Sequence, residues 1–137
     1  MYYAIPIIVP PNTPPTSPVE RRVIVDWGVL VKVEVEFPAG CCGLVGVKIL
    51  YQGRQIFPTN KGFWFISDDY VISFPEYFPF NQRENELVIQ AYNEDEIYFH
   101  TPIVRLAVLP REVALPTLFT QGILESIKSL VIHKEEV

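Results

Sequence analysis

Two histidines, two cysteines and a scatter of serines and carboxylates are the chemical equipment of this 137-residue sequence. His100 falls in a stretch expected to be strand, and His133 in the terminal tail. Neither has a second histidine at metal-ligand spacing such as H-x-x-x-H. His100 is read as a hydrogen-bonded structural residue, and His133 as a side chain favourable to a helix C-terminus. Nucleophilic catalysis needs a nucleophile, a base and an orienting group. Ser67, Ser73, Cys41 and Cys42 are present, but none stands in a G-x-S-x-G elbow or a comparable signature. Gly40, Gly43 and Gly46 sit between strands with no helix after them, so they form no phosphate-cradling loop. The expectation is a protein that is not an enzyme, with no catalytic residue, no metal and no cofactor.

Three further groups have candidate roles. Asp68-Asp69 and Asn93-Glu94-Asp95-Glu96 offer hard oxygen ligands for calcium. Neither fits the EF-hand loop, and Asn and Asp are ordinary turn residues, so solvated turns are the expected reading. Cys41 and Cys42 are adjacent in Ala39-Gly40-Cys41-Cys42-Gly43, which excludes a disulfide framework and leaves two reduced thiols or a contact to another chain. Phe63, Trp64, Phe65, Tyr70, Phe74, Tyr77, Phe78 and Phe80 crowd one third of the chain. Most of them are expected to pack the core. Aromatics are also enriched at protein interfaces and make platforms for sugar rings.

Composition narrows the partners. Net charge is −5, and the one basic pair, Arg21-Arg22, is no stripe for nucleic acid. No run of about 18 apolar residues occurs, so no membrane-spanning helix is expected. The first residues lack a basic n-region and are interrupted by proline, which makes a poor signal peptide. A 49% hydrophobic content with 13 prolines suits a small domain rich in loops and edges.

The elements that must position these residues are strands. Val29, Val31, Val33, Val35 and Phe37 alternate with Leu30, Lys32, Glu34 and Glu36, the period of a half-buried strand. Val23, Val25 and Trp27 repeat the pattern before Gly28, and Val45, Val47, Ile49 and Tyr51 repeat it later. Gln52-Gly53 predicts a hairpin turn into Arg54–Phe57. Short strands follow at Phe63–Ile66, Tyr70–Phe74 and Glu86–Tyr92, then a long one from Ile97 to Leu109 that Pro102 must bend, bulge or place at an edge. Pro75 to Phe80, broken by prolines, reads as an ordered loop or edge. Seven to nine strands at turn spacings of roughly 8–12 residues predict an all-β fold, an antiparallel, jelly-roll-like β-sandwich, over residues 19–110, with a small closed barrel as the alternative that the same pattern allows.

Two flanking pieces bracket that domain. Residues 1–18 read as an apolar β-segment followed by a proline-rich extended arm. This segment either returns to its own sheet or adds to a neighbour's edge. Residues 111–137 carry one amphipathic helix from Pro116 to about Lys134, with Leu118, Phe119, Ile123, Ile127, Leu130 and Val131 at helical steps.

The stretch from Gly43 to Leu50 with Gly53, Gln55, Ile56 and Pro58 resembles small β-sandwich structural proteins of tailed viruses and proviruses. So does the stretch from Leu87 to Asp95 followed by His100-Thr101-Pro102. The likeness spans about residues 4–109 and carries no catalytic motif. It implies a virion component, such as a capsid decoration, vertex or tail-associated protein, located in the virion or otherwise in the cytoplasm. Partners would be copies of itself and other structural proteins. The expected contacts are Ile5, Ile7 and Val9 in the arm, Trp64, Tyr77 and Phe78 in the domain, and Leu118, Phe119, Ile123, Ile127 and Leu130 in the helix. A different class is a carbohydrate-binding or adhesin-like module that presents Trp64 and Tyr77 to a glycan. A hydrolase or isomerase on a cupin-like barrel is the weakest reading, because such sites take several histidines.

Overall fold

The structure, a computed structural model, describes residues 1–114. Alternating side chains divide it into two layers. The strands in order are β1 (Tyr2–Pro6), β2 (Val19–Asp26), β3 (Val29–Phe37), β4 (Val45–Tyr51), β5 (Arg54–Phe57), β6 (Phe65–Ile66), β7 (Tyr70–Pro79), β8 (Glu84–Asn93) and β9 (Ile103–Leu109). One sheet runs β1-β9-β3-β7, and the other β2-β8-β4-β5 with β6 also on β4. Every pairing is antiparallel. Val33, Val35, Leu106 and Val104 from the first sheet meet Val45, Val47, Ile49, Leu87 and Ile89 from the second in one fully buried core. The expected all-β sandwich is therefore the fold. Each sheet presents an apolar face inward.

Several details depart from the period-two reading. A bulge in β3 between Leu30 and Lys32 shifts the register against both neighbours. Side chains beyond a bulge change face. Leu30 thus joins the main core, while Val29 and Val31 form a second cluster with Ala114, Tyr77, Ala107 and Leu109. The sequence pattern places all five alternating residues of this strand on one face; the bulge splits them. Strand β7 continues through Pro75 to Pro79 instead of ending at Phe74. It lies at a sheet edge, and Pro75 pairs opposite Lys32 at the bulge, two positions where a missing N–H is tolerated. Strand β9 begins only after Pro102, so residues 97–102 are not strand.

Residues 1–18 are not an appendage. Strand β1 forms the edge of the first sheet against β9, in register from Tyr2↔Ala107 to Pro6↔Ile103. The chain then carries Ile7 and Val9 into the core. The Ile7 amide donates to the Pro102 carbonyl at 2.9 Å, and Val9 pairs with His100. Ile5, Ile7 and Val9 are all buried in this chain's own core, which corrects their expected place at a contact with another chain. The physical reason is the free edge of β9. Its backbone groups pair directly with the apolar strand, Ile5 standing opposite Val104. At the other extremity residues 111–114 form one helical turn whose Ala114 is buried on Val29 and Val31. Leu118, Phe119, Ile123, Ile127 and Leu130, with the expected helix, lie outside the described residues.

Candidate interaction site

Four loops gather at one end of the sandwich, residues 7–18, 38–44, 67–69 and 94–102. The last is held by a network that begins at Asn93, fully buried at the end of β8. Its Nδ2 donates to the Val9 carbonyl at 3.2 Å and to the Tyr98 carbonyl at 2.9 Å. Its Oδ1 accepts the Asp95 amide at 2.9 Å. Asp95 repeats the motif one step on, its Oδ1 accepting the amides of Ile97 at 2.9 Å and Tyr98 at 3.2 Å. Its other oxygen, Oδ2, lies 2.9 Å from His100 Nε2. The Ile97 amide first, then His100 and the Tyr98 amide, hold the Asp95 carboxyl below its ordinary value. Asn12 closes the loop from outside, Nδ2 to the Glu96 carbonyl and backbone N–H to the Asp95 carbonyl.

This network fixes the backbone while leaving three large side chains in water. Ile97 is 74% exposed, Tyr98 65% and Phe99 64%. Three consecutive exposed apolar residues on a rigid backbone are unusual for a solvated turn, and ordering them in advance lowers the entropy cost of contact. The surroundings are acidic. Across the four loops stand Asp68, Asp69, Glu94, Asp95 and Glu96, and no lysine or arginine.

The same geometry decides what the polar residues can do. Both oxygens of Asp95 are spent on protein donors, and Asp68 Oδ1 accepts the Gly40 amide at 3.1 Å. Among the described residues no group of three or more His, Cys, Asp or Glu is placed to hold a metal ion. Cys41 is buried and Cys42 exposed, both as free thiols. Burial, then the charges of Asp68 and Cys42, push the Cys41 thiol up to about 11, the opposite of an activated nucleophile.

The expected contact aromatics are dispersed. Trp64 stands edge-on to Tyr92 of β8, ring centroids 4.8 Å apart, with Lys48 Nζ 4.2 Å over its ring. Tyr92 in turn lies over Gly46, where a Cβ would come within 2.1 Å of its ring. Tyr77 packs in the second cluster on the other sheet, and Phe78 meets Tyr51, Phe57 and Phe80. The fold does not bring Trp64 and Tyr77 together, so these two make no single sugar platform. Ile97, Tyr98 and Phe99 were hidden in the sequence by their high strand propensity. The signal that separates them from strand is the Asn93-x-Asp95 pair just before, two turn formers two residues apart.

Among the described residues no helix is long and apolar enough to cross a membrane. No protein-family model matches this chain, and no curated protein matches it.

Proposed function

We propose that this protein is a non-enzymatic structural component that works by contact with other protein chains, copies of itself among them. The observation that carries this reading is the ordered tip, Ile97-Tyr98-Phe99, exposed on a backbone tied down by Asn93 and Asp95. His100 serves the loop by bonding Asp95, and burial pushes the Cys41 thiol up, away from an activated nucleophile. A jelly-roll-like sandwich in a virion, as decoration, vertex or tail-associated protein, is the setting that the sequence likeness implies.

A photo-cross-linking amino acid at position 99 tests this in the purified full chain at micromolar concentration. The expected result is a cross-linked species heavier than the 15.7 kDa chain, absent when the same group replaces solvent-exposed Lys61. A chain that remains 15.7 kDa after irradiation at position 99 overturns the self-association part of the reading.

A further inference from the structure

Two open sheets leave four edges, and an edge strand offers a row of backbone N–H and C=O groups to any extended chain. Three of these edges are guarded. Met1 and Val108 exchange backbone bonds, so alternation places Tyr2, Ala4 and Pro6 on the free side of β1. Pro6 has no N–H, and its carbonyl accepts the Arg21 guanidinium. The same alternation, carried across β9 and β3, turns Val71, Ser73 and Pro75 to the free side of β7. Pro75 has no N–H either, and the Tyr77 amide donates to Glu76 Oε1 at 2.9 Å. The third edge is short, four residues in β5 and two in β6, and β5 is bulged and followed by Pro58. Strand β2 has none of these devices over most of its length. Thr13 and Asn93 exchange backbone bonds, so Ala91, Ile89, Leu87 and Asn85 face β2 and bond Val19, Arg21, Val23 and Val25. Glu20, Arg22 and Ile24 therefore turn their N–H and C=O groups outward. Among the described residues no hydrogen bond reaches that outward backbone, and Ile24 is 52% exposed. Only Asp26, last in the row, is capped, its amide donating to the Tyr3 hydroxyl at 3.0 Å. Beside the row runs a groove of about 380 Å³, lined by Pro6 and Ile8 on one side and Val19 and Arg21 on the other.

We propose that the free edge of β2 takes an extended segment of a different protein chain as a further strand of the second sheet. The backbone row at Glu20, Arg22 and Ile24 holds it by main-chain bonds. Its inward side chains turn toward the groove beside Ile8 and Val19, so they are apolar. The occupant is not the β2 of a second copy. Two-fold pairings centred on Arg21 or Arg22 set arginine opposite arginine. Those centred on Val23 or Ile24 need the Asp26 amide that Tyr3 already holds. A strand of other sequence meets neither obstacle. This surface shares no residue with the Ile97-Tyr98-Phe99 tip and goes beyond the contact read there.

The probe is the blocked peptide acetyl-VTVEVKV-amide, whose valines face the groove when its threonine, glutamate and lysine amides face β2. In the free full chain, amide exchange followed by NMR is expected to be fast at Arg22 and Ile24 and slow at Val23 and Val25. Added peptide is expected to protect Glu20, Arg22 and Ile24. Methylating the three peptide nitrogens that face β2 is expected to weaken binding about tenfold or more, whereas methylating the valine nitrogens leaves it unchanged. On the protein, Ile24→Pro removes an outward N–H and spares the β2–β8 ladder; it is expected to lose the binding that Ile24→Ala keeps. If Ile24→Pro does not fold, the two methylated peptides decide the matter on the wild-type chain. A peptide that protects none of the three amides at millimolar concentration, or that binds equally well after either methylation, overturns the proposal. So do Arg22 and Ile24 amides that grow protected with protein concentration alone, the mark of a second copy on this edge. Failure here leaves the tip reading standing, because the cross-link at position 99 does not involve β2.

Discussion

Asn93 has no exposed atom to hydrate it, yet it serves three backbone groups from two loops. Replacing it with alanine leaves the Tyr98 carbonyl and the Asp95 amide short of a partner, while the Val9 carbonyl keeps the His100 amide. The expected cost of Asn93→Ala is about 2–4 kcal/mol, read as a lower urea midpoint with an unchanged slope. Asp95 adds a pH dependence of known sign. Its carboxyl is depressed in the folded chain, so its stabilising effect is present above the ordinary value of 3.8 and is lost as pH falls through the lower folded value. The amide resonances of Ile97 and Tyr98 are expected to move in that acid window, and to stay put there in Asp95→Asn. The two cysteines separate by reactivity. Iodoacetamide is expected to label Cys42 in the native protein and Cys41 only after unfolding, as burial and a thiol near 11 require.

Turns and edges govern the strands. Gly28 joins β2 to β3 across the two sheets, and a Cβ there would stand 2.5 Å from the Leu109 carbonyl oxygen. That neighbour is backbone and cannot swing away. Gly28→Ala is expected to destabilise by about 1–3 kcal/mol, measured by thermal denaturation. Most strands were legible because one buried face imposes a period of two. The hairpin at Gln52-Gly53 was legible because both residues adopt the positive φ that a two-residue turn demands. The bulge at Leu30 was not. Val29 and Val31 are as apolar as Val33, and nothing in their types marks a change of face. Strand β7 was cut short at Pro75 because proline is a poor ladder residue, a rule that relaxes at an edge. Of the site, the sequence disclosed the turn at 93–96 and the structural bonding of His100. The exposed Ile97-Tyr98-Phe99 escaped, since strand formers in a row read as strand until the side-chain bonds that divert them are known.

At the scale of the whole molecule, the apolar N-terminal strand changes the meaning of its flank. It is an integral strand, so its loss is a loss of core. Truncating a buried Ile or Val costs about 2–4 kcal/mol, and removing Ile5, Ile7 and Val9 together approaches the about 5–15 kcal/mol that holds an ordinary domain folded. A chain lacking residues 1–9 is expected to show no cooperative unfolding transition; a sharp transition at the wild-type temperature would place β1 outside the core. The exposed Ile97-Tyr98-Phe99 tip then lies at the loop end of the sandwich. The most direct test of that tip as a protein contact is the mass of the full chain by light scattering across a micromolar concentration series. The expected result is a mass that rises above 15.7 kDa with concentration and returns to 15.7 kDa in folded Tyr98→Ser/Phe99→Ser. A wild-type chain that holds 15.7 kDa throughout the series contradicts it.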